Sequence, residues 1–274
     1  MTYRERHNVT MKGAGSPTLL FCHGFGCDQN MWRFVTPRFE ASNKIVLFDT
    51  LGAGRSDLSQ YDFDRYAKLE AHAVDILEIC RELNLENVVL VGHSVGATTA
   101  ILAAVAEPDR FAGLVLVAPS PCYLNVDGYR GGFNREDLDE LLEVMDSNYL
   151  GWSQNIAPVI MGNADRPELA SDLANSFCRT DPTIARHAAR ATFLSDHRAI
   201  LPRLRLPSMI LQCADDAIAP IAVGEYMRSV IPDSELVLLN ATGHCPNLSA
   251  PEETSDAIAR FLADLSRRDA TAND

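Results

Sequence analysis

The 274-residue sequence predicts an α/β fold, with a mostly parallel sheet, helices on both faces and a helical insertion. Three observations predict it. Apolar runs alternate with helical patterns up to about residue 120 and again after about 200. Those runs are continuous rather than alternating in polarity, as strands covered on both faces must be. Between about 121 and 200 the strand rhythm stops, and four helical patterns take its place.

In chain order, two short segments around Tyr3–Met11 are expected to pair as edge strands. Leu19-Leu20-Phe21-Cys22 reads as the first buried strand and ends in His23-Gly24-Phe25-Gly26. A helical pattern is expected at roughly 28–40, and Lys44–Asp49 reads as a strand. Gly52-Ala53-Gly54-Arg55-Ser56 then marks a turn. It lacks the Gly-Lys-Ser/Thr ending of a phosphate loop and the third glycine of a dinucleotide fingerprint. Over 66–83, Leu69, Ala73, Ile76, Leu77 and Cys80 make one apolar helix face. Val88-Val89-Leu90-Val91 runs into Gly92-His93-Ser94-Val95-Gly96, and the small-residue run Ala97–Ala104 leads out as a tightly packed helix. Phe111–Ala118 closes the first half as a strand.

The insertion reads as a cap. Leu138, Leu141, Leu142 and Met145 form its first stripe, and Trp152, Ile156, Val159 and Ile160 its second. Leu169, Leu173 and Phe177 form the third; Ile184, Ala188, Ala189 and Phe193 form the fourth, with Asp181-Pro182 at its start. Most of these residues are expected to pack the cap onto itself and onto the core. Phe133, Trp152, Phe177 and Phe193 are the candidates to point toward a ligand. After the cap, Ser208–Cys213 and Leu236–Leu239 read as strands, and a final helix follows.

The chemistry sits where strands end. A Gly-x-Ser-x-Gly pentapeptide between a strand and a helix is a nucleophile elbow, which holds Ser94 out from the sheet edge. A serine hydroxyl is a weak nucleophile at neutral pH and needs a base with an orienting acid. His244, in Gly243-His244-Cys245-Pro246, follows the last strand, and Asp215-Asp216 follow the one before it. The order serine, acid, histidine is itself the signal. The residue types alone leave Asp215 and Asp216 open. An oxyanion needs two backbone N–H donors. Val95, after the serine, supplies one, and Phe25, between two glycines, is the natural second. Its ring would line the pocket floor. His23 reads as a loop brace.

Composition narrows the function. The length and 47% apolar content suit one large domain. A net charge of −13 argues against nucleic acid or anionic membranes as partners. No apolar run approaches the roughly 18–20 residues of a membrane span. The charged start is not expected to be a secretory signal. Seven scattered cysteines, several inside apolar runs, point to reduced thiols and a cytoplasmic setting. None has the paired spacing of a zinc site, so neither a metal nor another cofactor is expected. No Arg or Lys flanks the motifs, which favours a small, mainly apolar ester or lactone over an anionic substrate.

His23–Gln29, Gly92–Gly96, Ser120–Asn125, Gly131-Gly132-Phe133, Leu211–Asp216 and Gly243–Pro246 together resemble one α/β-hydrolase subfamily. It contains the bacterial RsbQ-type stress regulators and the plant strigolactone and karrikin receptors, and the resemblance reaches to about residue 265. The resemblance implies an α/β-hydrolase fold: a mostly parallel eight-stranded sheet with a four-helix, V-shaped lid inserted after the sixth strand. The core would comprise 1–120 and 201–265, the lid 121–200, and Ser266–Asp274 a disordered tail. The family's spacing of acid and following proline favours Asp216, four residues before Pro220, and leaves Asp215 to cap the next turn. The resemblance carries Ser94, Asp216 and His244 over as a triad, and Phe25 and Val95 as the oxyanion hole. It also implies Phe25, Phe133, Trp152, Phe177 and Phe193 as pocket lining. Two activities follow: turnover of a small butenolide-like ester or lactone, or a signalling role. In the RsbQ-type case the signalling partner is a PAS-domain phosphatase.

Overall fold

The computed structural model describes residues 1–272. Their sheet has seven strands: β1 (Thr10–Lys12), β2 (Thr18–Cys22), β3 (Ile45–Leu47), β4 (Val88–His93), β5 (Phe111–Val117), β6 (Ser208–Asp215) and β7 (Ser234–Thr242). The spatial order is β1-β3-β2-β4-β5-β6-β7. Only β1 runs antiparallel, against β3. Strands β2, β3 and β4 are buried at every residue. A strand covered on both faces has no use for alternation, which is why their sequences are continuous apolar runs.

One expected strand is absent. Tyr3–Arg6 is a short helix, α1, rather than half of an edge pair. Thr2 and Glu5 form a reciprocal capping box around its first turn. The Glu82 carboxylate, on helix α2 (Leu69–Glu82), accepts from the backbone N–H groups of Tyr3 and Arg4. Those donors are therefore satisfied without a strand partner. Seven strands rather than eight result, and the insertion follows the fifth. The helix expected at 28–40 is also broken, into 3-10 turns at Gln29–Trp32 and Thr36–Arg38. Pro37 supplies no N–H to continue it.

Helix α3 (Val95–Ala106) follows β4 directly. The insertion holds α4 (Arg135–Ser147), α5 (Tyr149–Met161), α6 (Pro167–Arg179) and α7 (Pro182–Phe193). Helices α8 (Ile221–Val230), α9 (Pro246–Ser249) and α10 (Pro251–Ala272) complete the chain. Helix α10 extends through Ser266–Ala272, most of the stretch for which a disordered tail was expected; Leu265 is buried and fastens the helix one residue earlier. The rest of that expected tail, Asn273 and Asp274, lies outside the described residues. No helix among the described residues is long and apolar enough to cross a membrane.

The chain order reverses around β2, because β3 lies on one side of it and β4 on the other. Ligand crevices form at the carboxyl ends of strands at such a reversal. There, Cys22 of β2 lies opposite Gly92 of β4, so the Phe25 loop and Ser94 leave the sheet side by side. Further along, Asp215 of β6 pairs with Thr242 of β7, which brings Asp216 beside Gly243-His244. Packing at the first crossing leaves no room for side chains. A Cβ on Gly96 would lie 2.5 Å from the His23 carbonyl oxygen and 2.6 Å from that of Cys22. Both contacts are backbone and cannot swing away. Gly96→Ala should therefore cost about 2 kcal/mol, in line with overpacking. Thermal unfolding should show the midpoint lowered by about 4–8 °C.

Candidate active site

Ser94 begins the site, with φ 55° and ψ −123°, a conformation that L-residues rarely hold. Its N–H donates to Val117 O of β5 at 2.9 Å, which fixes the turn against the neighbouring strand. His244 Nε2 lies 2.7 Å from Ser94 Oγ, and His244 Nδ1 lies 2.8 Å from Asp216 Oδ2. All three residues are buried. Asp216 and not Asp215 faces the imidazole. Its other oxygen, Oδ1, accepts from the N–H groups of Ile218 (2.8 Å) and Ala219 (3.1 Å). The turn-capping task expected of Asp215 thus falls to Asp216 as well. Asp215 is exposed and contributes its backbone oxygen, which accepts from Gly243 N–H at 2.7 Å.

Burial alone would raise the Asp216 carboxyl. The His244 imidazole and the two backbone donors outweigh it and hold the group below its ordinary value. The acid thus stays ionised where it must orient the imidazole.

The N–H of Val95 is at the first turn of α3, where helix donors have no intrahelical partner. Among the described residues, neither it nor the N–H of Phe25 has a hydrogen-bond acceptor. His23 braces this loop: Nδ1–H donates to Gly24 O at 2.9 Å, and Nε2 accepts from Thr50 N–H at 2.9 Å.

Four of the five expected pocket aromatics cluster. The Phe25 ring lies 6.4 Å from Trp152, 6.0 Å from Phe177 and 5.7 Å from Phe193. Phe133 is apart from them and makes no ring contact among the described residues. It is half-buried and pairs by backbone with Tyr123. Tyr123 is the residue that sequence reasoning did not single out. Its hydroxyl is 3.1 Å from Ser94 Oγ, and its ring is 5.0 Å from Phe193. Burial raises its phenol to about 12, so it remains a neutral donor. The signal for it lay in Ser120–Asn125, an aromatic residue just beyond a strand end.

His93 also does more than fill the elbow. Its Nε2–H donates to His244 O at 2.7 Å, which ties the nucleophile turn to the histidine loop. His244 N–H in turn donates to Ile160 O of α5 at 2.8 Å. All seven cysteines are free, and no group of three or more His, Cys, Asp or Glu among the described residues is placed to hold a metal ion. The arrangement can transfer a proton from a hydroxyl to an imidazole beside two free backbone donors.

Residues 19–257 match the alpha/beta hydrolase family. The chain belongs to that family. This hydrolase is 38% identical to a probable esterase of Oryza sativa subsp. japonica, over 94% of the chain and 96% of the relative. It is 35% identical to a strigolactone esterase of Arabidopsis thaliana, covering 94% and 97%. To a karrikin insensitive 2 receptor of Petunia hybrida it is 36% identical, covering 94% and 96%. Among solved structures, a hydrolase from Oleispira antarctica superposes with a TM-score of 0.93 at 42% identity, over 95% of this chain and 96% of that one.

Burial pushes the His93 imidazole down to about 3, and that of His72, on α2, likewise. In the unfolded chain each binds a proton near pH 6.5. Between those values the unfolded state holds more protons, so stability is lost as pH falls from 6.5 toward 3. The unfolding midpoint of this hydrolase should drop steadily between pH 6.5 and 4, and His93→Leu should make the drop shallower. An unchanged slope would mean that His93 is charged in the folded state.

Proposed function

We propose that this hydrolase cleaves a small hydrophobic ester or lactone, butenolide-like in size, through an acyl-enzyme on Ser94. The observation that carries the reading is the continuous series Asp216–His244–Ser94, at 2.8 and 2.7 Å. In this reading His244 Nε2 takes the hydroxyl proton as Ser94 Oγ attacks the carbonyl carbon. Asp216 Oδ2 accepts from Nδ1–H, holds that tautomer and stabilises the imidazolium. The N–H groups of Phe25 and Val95 receive the oxyanion. His244 then protonates the leaving alkoxide. Water, deprotonated by the same imidazole, releases the acid. Phe25, Trp152, Phe177 and Phe193 are the proposed lining, and the four-helix insertion acts as a lid that keeps water from the reacting carbonyl.

The relatives' names support both an esterase and a receptor reading. Intact mass recorded during hydrolysis of p-nitrophenyl acetate and a synthetic butenolide ester separates them. Repeated turnover abolished by Ser94→Ala is expected for the enzyme. A single slow turnover that leaves a Ser94-dependent adduct would favour the receptor. No Ser94-dependent reaction with either compound would sink both.

Asp216→Asn should lower kcat on the order of 10³–10⁴-fold, because the imidazole loses its orienting acceptor. Asp215→Asn should keep most of the rate, since its carboxylate makes no hydrogen bond to the relay. The reverse result would overturn the assignment.

A further inference from the structure

The turn between α5 and α6, residues 162–166, is bonded to both ends of the histidine loop. Asn163 Nδ2 donates to Thr242 O, at the end of β7, and to Met161 O, each at 2.8 Å. Arg166 Nη1 donates to Ser249 O, at the end of α9, at 2.7 Å. Its Nη2 donates to Asn163 Oδ1, so the two side chains form one unit. Between Thr242 and Ser249 lies His244, whose own N–H donates to Ile160 O in the last turn of α5. The two backbones also touch here: a Cβ on Gly243 would lie 1.9 Å from Met161 O.

Arg166 stands against local preference. It is the N-cap of α6, a position that favours Ser, Thr, Asp or Asn and opposes a positive charge. Its side chain makes no capping bond and reaches to Ser249 instead. Asn163 holds φ 53°, in the left-handed region that Asn tolerates. A small capping residue at 166 would serve α6 better, so what Arg166 adds is the connection to the histidine loop.

We infer that Asn163 and Arg166 are positioning residues, a clip that holds His244 Nε2 at its 2.7 Å from Ser94 Oγ. The inference rests on the proposed esterase chemistry of Ser94, His244 and Asp216. Neither side chain hydrogen bonds to those three side chains, so the clip acts through the backbone of the loop. Proton transfer tolerates little displacement, and a shift of about 1 Å costs on the order of 100-fold in rate. Without the clip, the bond from His244 N–H to Ile160 O is the remaining hydrogen bond between residues 242–249 and the insertion, among the described residues. The seating of the insertion and the chemical step are thereby coupled: when the turn lifts, the base moves with it.

Arg166→Ser separates positioning from stability, because it removes the clip and gives α6 a capping side chain. On p-nitrophenyl acetate its kcat should fall about 10–100-fold, with KM within about threefold of wild type. Its thermal midpoint should stay at or above that of wild type. Asn163→Gly, which keeps the left-handed backbone, should lose a similar factor in kcat. The double variant should lose little more than either single one, since the two side chains work as a unit. Sulfonylation of Ser94 by phenylmethanesulfonyl fluoride, followed by intact mass, should slow by the same factor. It needs the same imidazole, and its rate constant reads the folded molecules alone, so a poorly folding variant cannot imitate the result. Wild-type kcat in Arg166→Ser and Asn163→Gly would overturn the clip and leave the esterase reading standing. A raised KM at unchanged kcat would also overturn it, by placing the pair in substrate binding. So would a kcat loss with an unchanged sulfonylation rate, which is the mark of lost folded protein. Hydrolysis that survives in Ser94→Ala, or none by the wild type, would overturn the esterase reading and the clip with it.

Discussion

The site depends on one backbone crossing, where α3 starts against the last carbonyls of β2. Gly96 sits 2.5 Å, measured from the place of its missing Cβ, from His23 O. That approach sets the start of α3, with its Val95 N–H, against the end of β2 that leads into the loop carrying the Phe25 N–H. A side chain at position 96 would push the helix off the strand and separate the two donors. The strain at Ser94, with its positive φ, is held by neighbours that overdetermine it: the bond to Val117 O below and the helix that starts at Val95. Sheet register then does the rest. Cys22 lies opposite Gly92 and Asp215 opposite Thr242, so loops from four strands meet at one edge.

The histidine loop is positioned by its backbone from three directions. Gly243 N–H donates to Asp215 O, His93 Nε2–H donates to His244 O, and His244 N–H donates to Ile160 O. Two of these anchors belong to the core and one to the insertion. The insertion is therefore more than a cover, since removing α5 would free one end of the peptide that carries the imidazole. It also meets the core through ion pairs, Arg33 with Asp172 and Arg179 with Asp28. The Arg33–Asp172 pair is exposed on both sides and contributes little, whereas in the second pair Asp28 is buried and only Arg179 is exposed. Burial of Leu173 and Phe177 on α6 supplies the larger part of that contact.

The strands and the order of the three relay residues were legible because both are local. A buried parallel strand writes a continuous apolar run, and each functional residue follows one. Other features depend on partners distant in sequence. The helix at Tyr3–Arg6 is completed by Glu82, some eighty residues away, so its own residues could not decide between helix and edge strand. The choice between Asp215 and Asp216 depends on the β6–β7 register, which shifts between Cys213 and Asp215 and turns the next side chain inward. Tyr123 escaped notice because an aromatic beyond a strand end, as in Ser120–Asn125, does not by itself say that its hydroxyl will reach Ser94. Phe133 was expected with the other aromatics, but its backbone is bound into the Tyr123–Asn125 segment instead.

The charges at this edge argue for a neutral substrate. Asp216 is buried and ionised, offset by His244 and by two peptide dipoles. His93 and Tyr123, its polar neighbours, are both held neutral by burial. Among the described residues no Lys or Arg hydrogen bonds to Ser94, His244, Asp216 or Tyr123. A substrate carboxylate would add a second negative charge where only one has compensation, at a large desolvation cost. In the proposed reaction, attack on a neutral carbonyl would create that charge only transiently, next to two unoccupied N–H donors and an imidazolium formed in the same step. The polarity would then be matched to the transition state rather than to a charged ground state, which is the condition for binding energy to accelerate the chemical step.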